Sequence, residues 1–477
     1  MSQPNFQTLV PRRQFLAQGA AATLGGLLLS HGLLDTAQAA SPKASVPGAP
    51  GAPSGLQWQN WSGVQRATPA TLPTPGSEAE LQTLMASAKG EIRAYGSGHS
   101  FTALVPTTGN IVSLDRLSGL VSVDKQTMTA TVWGGTRLGV LSRALDAQGL
   151  ALRNLPDVDV QTVAGAIATG THGTGLGLPA LHADVVGLRI VTPGGKVVEL
   201  REDRDRDLMA AARVSLGSLG IVSQVTLRVV PAYNLHRKVW LRPIEELLTQ
   251  APQLAQQHRN FELYYLPFTG YGAAISHDLY TGTDLALPKP ADDAVMADLR
   301  TLRDWLGRFP QLRQWAAQKF IDPNQTEDAR HRAYRLLSTV RPMRFNETEW
   351  HVPREQGIAC LRQIITAIEK HNEAFFPIEF RFIKGDDAWL SPFQGRDSCS
   401  IAVHAAADEP YDYLLKDCTP IYRAHQGRPH WGKLHDMGFK ELSTMYPRWT
   451  DFQAVRQQFD PQGRMLNAHL RKLFVAA

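Results

Sequence analysis

The chain has 477 residues and a formal net charge of +5, from 49 basic and 44 acidic residues. A single hydrophobic core stops growing at roughly 250–300 residues, so two domains are expected. Because the charges form no long run of one sign, and no zinc finger or RNA-binding aromatic signature accompanies them, the sequence argues against a nucleic-acid partner.

Residues 1–39 have the pattern of an export signal. Arg12 and Arg13 precede an apolar, glycine-rich stretch that is shorter than the roughly 20 apolar residues of a spanning helix. Ala37 and Ala39 match a small-x-small cleavage pattern. The paired arginines indicate export of the folded protein through the twin-arginine machinery and predict a periplasmic or secreted location. An uncleaved membrane anchor is the alternative.

A linker and a strand-rich region follow. Residues 40–57 are rich in Pro, Gly, Ala and Ser, which predicts a disordered linker. Residues 58–233 contain short strands and turns, with hairpins predicted over residues 121–132 and 185–200. Strands and helices do not alternate regularly here, so the pattern favours an α+β fold.

The composition changes over residues 234–420, which we interpret as a second domain. Amphipathic helices are predicted over residues 244–250 and 355–371, and Pro252 is expected to break the first of them. Residues 377–382 alternate between apolar and polar side chains, which predicts a half-buried strand.

Three glycine-rich segments carry the clearest functional signal. In the turn after residues 92–95, Gly96 and Gly98 allow backbone amides to approach a phosphate. Residues 162–175 and 215–222 are similarly rich in small residues, although a structural loop without a ligand is the alternative for each. No Rossmann fingerprint, Walker A lysine or GxSxG nucleophile elbow is present, which argues against hydrolases and nucleotide triphosphatases.

Glu379 and Arg381 are two residues apart, so on a strand both side chains lie on one face and can bind one small polar ligand. A surface ion pair is the alternative.

Three histidines, His425, His430 and His435, recur every five residues. Five is not a helical ligand spacing, so we predict no metal site.

Cysteine usage gives little information. Cys360, Cys399 and Cys418 are widely spaced and form no metal-binding pattern. Whether two of them pair is left open, as is the oligomeric state.

Taken together, these motifs resemble the FAD-linked oxidases of the vanillyl-alcohol-oxidase superfold, in particular the aldonolactone and alditol oxidases. The resemblance covers nearly the whole chain after the signal. It rests on Gly96, Gly98 and His99, on Gly165 with Thr169, Gly170, Thr171, His172 and Gly173, on Glu379 and Arg381, on His430, Trp431, Gly432 and Lys433, and on Phe459, Asp460 and Pro461 with Asn467.

The resemblance implies a fold with two domains. Residues 58–233 would form a two-subdomain FAD-binding domain of the PCMH type. Residues 234–420 would form a substrate (cap) domain with an antiparallel sheet and flanking helices. Residues 421–477 would return to the FAD domain and complete the active site.

The resemblance also implies that FAD is bonded covalently to His99. A neutral imidazole is nucleophilic and can add to an activated flavin methyl group, although noncovalent binding at the same turn is the alternative. The predicted cofactor-binding residues are Tyr95, Gly96, Ser97, Gly98, His99, Ser100, Asp157, Thr162, Gly165, Thr169, Gly170, Thr171, His172, Ile221 and His430.

The implied reaction oxidises an alcohol carbon of an aldonolactone or polyol by hydride transfer to flavin N5. Lys433 and Arg381 would polarise the substrate hydroxyl and Glu379 would orient the substrate. His404 completes the predicted substrate site. It stands where alditol oxidases carry a threonine, and Asp157 stands where they carry a serine. Which polyol or lactone is oxidised is therefore left open.

Dioxygen, reduced to hydrogen peroxide, is the predicted electron acceptor, because the family associates proline near position 156 with oxidases and this chain has Pro156. A dehydrogenase that passes electrons to a quinone or cytochrome is the alternative in the same class. A non-catalytic FAD-binding protein is the alternative from another class.

The export signal can be tested directly. Replacing Arg12 and Arg13 with lysine should hold a precursor in the cytoplasm, because the twin-arginine receptor reads the arginine pair. Cell fractionation and immunoblotting measure the distribution. Unchanged delivery of the double variant would contradict this route.

Overall fold

The computed structural model describes residues 55–287, 294–320, 324, 326–338 and 343–476. The predicted signal and the linker up to residue 54 lie outside these residues. Within the described part of the chain, no helix is long and apolar enough to cross a membrane.

The strands and helices are numbered in chain order. The strands are β1 (Trp58–Gln59), β2 (Arg66–Ala67), β3 (Ile92–Tyr95), β4 (Asn110–Ser113), β5 (Leu120–Asp124), β6 (Thr129–Trp133), β7 (Leu150–Ala151), β8 (Gly175–Pro179), β9 (Val185–Val191), β10 (Val197–Arg201), β11 (Ile221–Arg228), β12 (Val230–Pro231), β13 (Asn234–Pro243), β14 (Asn260–Leu266), β15 (Tyr271–Tyr280), β16 (Thr326–Arg332), β17 (Phe345–Pro353), β18 (Ile378–Lys384), β19 (Ser398–Ala406) and β20 (Arg428–Pro429). The α-helices are α1 (Glu78–Ser87), α2 (Leu138–Asp146), α3 (Val163–Thr169), α4 (Arg206–Ala212), α5 (Ile244–Gln257), α6 (Ala294–Leu306), α7 (Pro310–Phe320), α8 (Ala333–Leu337), α9 (Gly357–Ile368), α10 (Asp412–Lys416), α11 (Cys418–Ala424), α12 (Phe439–Met445), α13 (Trp449–Phe459) and α14 (Ala468–Phe474).

The N-terminal half contains a five-stranded antiparallel sheet in the order β10-β9-β11-β6-β5. Both predicted hairpins, β5–β6 and β9–β10, are confirmed. β11 alternates buried and half-buried side chains, so one face of the sheet packs on the core. A separate parallel pair, β3 and β4, packs with Leu81 and Met85 of α1 in a second, smaller apolar cluster. The glycine-rich turn begins where β3 ends.

The C-terminal half is built on a nine-stranded sheet. Its order is β16-β13-β15-β14-β18-β19-β17-β20, and β8 from the N-terminal half pairs in parallel with β18. The pairs from β13 to β20 are antiparallel. Because β18 lies between β14 and β19, side chains from all three strands meet on one face.

Two sequence expectations in this half are wrong. Pro252 lies inside α5, which continues to Gln257, because Leu247, Leu248 and Ala251 are buried and hold the helix together despite one lost hydrogen bond. β18 is not half-buried, since its first six residues are all buried. Its polar face is enclosed by other polar side chains and not by solvent.

The three cysteines, Cys360, Cys399 and Cys418, are buried and unpaired.

The C-terminal segment is tied to the N-terminal half by backbone contacts. Phe101 N–H donates to Gly432 O at 2.7 Å and Ile92 N–H donates to Arg464 O at 2.8 Å. The amide of Asn467 donates to two carbonyls of the loop after the glycine-rich turn. The loop at residues 430–433 is therefore held against that turn.

Arg93 joins three segments that are distant in sequence. It is 3% exposed and donates to four backbone carbonyls: Nε to Leu104, Nη1 to Gly217 and Met465, and Nη2 to Leu216, at 2.6–3.0 Å. Leu216 and Gly217 belong to the glycine-rich segment 215–222, and Leu104 lies just after the first glycine-rich turn. One buried cation thus positions the strand that leads into the turn.

Replacing Arg93 with methionine should lower the free energy of unfolding by about 3 kcal/mol, because four buried carbonyls lose their donor. Guanidinium chloride denaturation measures the loss. Arg201→Met is the matched control: Arg201 is 57% exposed and pairs with an exposed Asp203, so the change should be below about 0.5 kcal/mol. Equal losses for the two variants would contradict the role of Arg93.

Candidate active site

A deep cleft is lined by the glycine-rich segments and by the loop that carries Lys433. Its empty volume is about 1480 Å³, including the part open to solvent. The walls come from segments around residues 93–102, 161–171 and 215–222, together with residues 430, 432 and 433. The three segments that the sequence singled out are therefore brought together around one space.

The first glycine-rich turn has the shape of an anion-binding site. A Cβ atom at Gly96 would lie 2.0 Å from Oγ1 of Thr162, and Gly98 adopts a φ of +67°. Among the described residues, none of the amides of residues 96–100 donates a hydrogen bond to a protein atom. A row of free N–H groups on a cleft wall fits the phosphate oxygens of a dinucleotide.

Thr162 connects this turn to the second segment. Its side chain accepts a hydrogen bond from Gly165 N–H and caps α3. Because the turn packs directly on the capping hydroxyl, the start of a helix is placed next to the free amides. A helix N-terminus favours negative charge.

His99 lies in the same cleft. Its ring stacks on Trp61, with centroids 4.9 Å apart and an interplanar angle of 21°. Burial, together with the positive charges of Lys433 and Arg137, lowers the pKa of His99 to about 4. The imidazole is therefore neutral near pH 7, which is the nucleophilic form.

Arg381 is enclosed by carboxyl groups. Its Nε donates to Glu262 Oε2 at 2.7 Å, and its Nη2 lies 2.6 Å from Asp157 Oδ2 and 2.7 Å from Glu379 Oε2. Tyr264 OH donates to Asp157 at 2.9 Å. Within the described residues Nη1 makes no hydrogen bond, although Arg381 does not itself line the cleft.

The charges of this group depend on one another. Burial opposes the charge on Arg381, but Asp157 and Glu379 hold the pKa of Arg381 well above its ordinary value. Burial raises the pKa of Glu262 to about 7. The group therefore keeps one permanent cation among acids that do not all ionise equally.

Lys433 forms a second cluster with two acids of β17. Its Nζ contacts Glu347 and lies 3.7 Å from Glu349 Oε2. Burial opposes the ammonium charge, but Glu347 and Glu349 raise the pKa of Lys433. Both Lys433 and Glu347 line the cleft. The cleft thus has a charged lysine paired with a carboxylate on its wall.

His404 links the two clusters. Its Nε2 lies 3.6 Å from Glu347 Oε1 and 3.8 Å from Glu379 Oε1, and its Nδ1 lies 3.2 Å from Pro377 O. The ring also packs edge-on against Phe345, which lines the cleft. Ionisable side chains consequently run from Asp157 through Arg381, Glu379, His404 and Glu347 to Lys433.

Behind this wall lie three potential metal ligands. Side-chain atoms of His172, Glu349 and His351 lie within 4.8 Å of one another, and all three residues are buried. Glu349 is already engaged by His172 Nε2 at 2.8 Å and by Ser400. Burial holds the pKa of His351 well below its ordinary value.

The predicted site residues fall into three groups. Those that line the cleft are Tyr95, Gly96, Ser97, Gly98, His99, Ser100, Thr162, Gly165, Thr169, Thr171, Ile221, His430 and Lys433. Those that form or join the Arg381 cluster are Asp157, Glu379, Arg381 and His404. Gly170 ends α3 in a left-handed conformation and His172 bonds Glu349, and neither lines the cleft.

The sequence interpretation missed Glu262, Tyr264, Glu347 and Glu349. A signal for them existed: each pair is two residues apart in a strand, as Glu379 and Arg381 are. Acids that alternate on one face of a buried strand need a polar partner there. Register explains the first pair, because Glu262 and Tyr264 lie opposite Arg381 and Glu379.

Comparison with known proteins identifies the family. A family model described as D-arabinono-1,4-lactone oxidase matches residues 225–473, more than half of the chain. The chain belongs to the D-arabinono-1,4-lactone oxidase family. A second model, described as an FAD binding domain, matches residues 69–201. The protein is therefore an FAD-dependent oxidoreductase that acts on CH–OH groups, as the motifs implied.

Relatives and a solved structure agree with this assignment. An L-gulono-1,4-lactone dehydrogenase of Mycobacterium tuberculosis is 36% identical over 426 residues, covering 87% of this chain and 98% of the relative. An alditol oxidase of a Streptomyces species is 28% identical over 438 residues, covering 87% of this chain and 98% of that relative. The crystal structure of cholesterol oxidase from B. sterolicum superposes with a TM-score of 0.71 at 17% identity, covering 90% of this chain and 100% of that one. The predicted α+β, PCMH-type fold is confirmed.

The contact between Gly96 and Thr162 can be tested. Gly96→Ala should displace the Thr162 hydroxyl and close the turn, so the purified variant should contain much less FAD. Gly177→Ala is the matched control, because a Cβ there has no atom within 4 Å. The ratio of flavin absorbance to protein measures the effect. Equal FAD content in the two variants would contradict the assignment of the turn.

Proposed function

We propose that the protein oxidises an alcohol carbon of a sugar-derived aldonolactone or polyol to a carbonyl, with FAD attached covalently to His99. The observation that carries the proposal is the buried row of ionisable side chains, from Arg381 to Lys433, beside the cleft that holds a neutral His99. When bound, FAD supplies the hydride acceptor. The amides of residues 96–100 would hold its pyrophosphate.

Arg381 and Glu379 would bind the hydroxyl groups of the substrate. The guanidinium cannot turn freely, because Glu262 and Asp157 hold it from two sides, so Nη1 is a donor of fixed direction. Glu379 accepts hydrogen bonds from hydroxyl groups. A fixed donor beside an acceptor orients a polyhydroxy substrate before reaction.

Lys433 and Glu347 would manage the proton of the reacting hydroxyl. The Lys433 ammonium donates a hydrogen bond to the substrate oxygen. It stabilises the negative charge that develops on this oxygen as the hydroxyl proton leaves, while the carbon loses its hydride. Glu347 contacts the ammonium and lines the cleft, so it is placed to accept the hydroxyl proton. The two electrons leave with the hydride and the proton stays on the protein, which balances the conversion of CH–OH to C=O.

The proposed electron acceptor is dioxygen, with hydrogen peroxide as product, and the support is Pro156 at the position that the family associates with oxidases. A dehydrogenase that passes electrons to a quinone or cytochrome is the second candidate, favoured by the name of the M. tuberculosis relative. Mixing the reduced enzyme with air-saturated buffer distinguishes them, because only in an oxidase does dioxygen reoxidise the flavin within the time of one catalytic turnover.

The paired arginines Arg12 and Arg13 support the further proposal that the enzyme works outside the cytoplasm.

Covalent attachment predicts that yellow colour stays with the chain after acid precipitation of the purified protein. His99→Ala should lose the bond but keep weak, noncovalent FAD, because the glycine-rich segments remain. Absorbance of the pellet and supernatant near the flavin band measures both. Release of all flavin from the wild-type protein would contradict the covalent bond without affecting the assignment of the cleft.

Lys433→Ala should slow flavin reduction about a hundredfold or more, because losing one preorganised charge costs on the order of 3 kcal/mol in the barrier.

Glu379→Gln should mainly raise KM, since the glutamine keeps the shape of the side chain but accepts weaker hydrogen bonds from substrate hydroxyls. Anaerobic stopped-flow measurements across a panel of polyols and aldonolactones give both quantities.

Lys440→Ala controls for the loss of a lysine, since Lys440 is exposed and lies seven residues from Lys433. It should reduce flavin at the wild-type rate. The same rate in Lys433→Ala would contradict the role of Lys433.

A further inference from the structure

The helical hairpin of α6 and α7 exposes large apolar side chains. Trp305, Phe309, Leu312 and Trp315 are 72%, 61%, 46% and 57% exposed. We call these four residues the aromatic patch. Soluble proteins seldom expose so many large apolar side chains in eleven consecutive residues unless the surface binds something.

The patch is presented by a helix that is anchored by neighbouring buried side chains. Arg313 is 2% exposed, its guanidinium lies 4.3 Å from the centroid of the Phe268 ring, and it donates to the carbonyls of Asn372 and Ala374. Ala316 is also buried. These contacts fix the position of α7 while Leu312 and Trp315 stay exposed.

The three patch residues at and within α7 share one side of that helix. Phe309, Leu312 and Trp315 are spaced three apart, so they cover an arc of roughly 120°. Trp305 lies near the end of α6, just before the turn that leads to Phe309. The patch therefore spans the end of α6, the turn after it and the first half of α7.

The rim of the patch is basic. Arg308 and Lys319 are exposed, and neither forms an ion pair within the part of the chain that the structure describes. The nearby carboxylate, Asp304, is engaged by Arg303 at 2.7 Å. Among the residues that the structure describes, the rim therefore carries positive charge without an ion-pair partner.

We propose that the aromatic patch docks the protein on an anionic lipid surface. Trp and Phe side chains favour the interface between headgroups and acyl chains, and Arg and Lys at that depth attract anionic headgroups. A second copy of the chain fits less well, because a two-fold contact would bring the two basic rims together. The proposal does not depend on the reaction that the enzyme catalyses.

Flotation of the purified holoenzyme with lipid vesicles tests the proposal. The protein should float with mixed phosphatidylcholine–phosphatidylglycerol vesicles and much less with pure phosphatidylcholine vesicles. Trp305→Ser with Trp315→Ser should lower the partition coefficient about tenfold or more, because two interfacial anchors are lost. Arg308→Gln with Lys319→Gln should remove the preference for the anionic vesicles, as should high salt.

Leu279→Ser is the matched control, since Leu279 is 65% exposed but lies on β15, outside the patch. This variant should float as the wild type does. Any contribution of the N-terminal apolar stretch to vesicle binding is the same in all variants, so it does not affect their comparison. The tryptophan variant should also reduce flavin at the wild-type rate, which shows that it is folded. The proposal is wrong if the wild-type protein does not float, if the tryptophan variant floats equally, or if sedimentation shows that the patch is buried between two copies.

Discussion

Burial of two cations among several carboxyl groups is the constraint on which the active site depends. A charge leaves water only at a cost of several kcal/mol, and that cost is offset only where partners of opposite sign are held at hydrogen-bond distance. Arg381 and Lys433 meet this condition through separate sets of acids, and His404 stands between them. Removing one member would leave its partner charged and buried.

The sheet supplies these partners through its register. Strands β14, β18 and β17 each place two polar side chains two residues apart, so each pair leaves from one face of the sheet. Because β19 lies between β18 and β17, His404 on β19 fills the space between Glu379 and Glu347. The charged row is a property of strand order as much as of the residues themselves.

The cleft is assembled differently, from turns whose backbone must approach closely. Gly96 packs on Thr162, and Gly432 lies against Ser100, so side chains larger than hydrogen would push these segments apart. Backbone hydrogen bonds from Phe101 to Gly432 then bring the lysine loop to the edge of the cleft. Precise placement of Lys433 beside His99 thus follows from contacts between residues more than 300 positions apart in the chain.

The sequence alone predicted the family, the glycine-rich turns and the hairpins, and it singled out His99, Arg381 and Lys433 as candidates, because each of these depends on short-range spacing or on a local motif. Which side chains surround Arg381 and Lys433 depends on the tertiary structure. Glu262 meets Arg381, and Glu347 meets Lys433, because of which strands are neighbours in the sheet and how the loop of Lys433 packs on it. Strand order and helix anchoring are set by long-range packing, so the enclosure of β18, the unbroken helix through Pro252 and the exposure of the aromatic patch could not be deduced from local patterns.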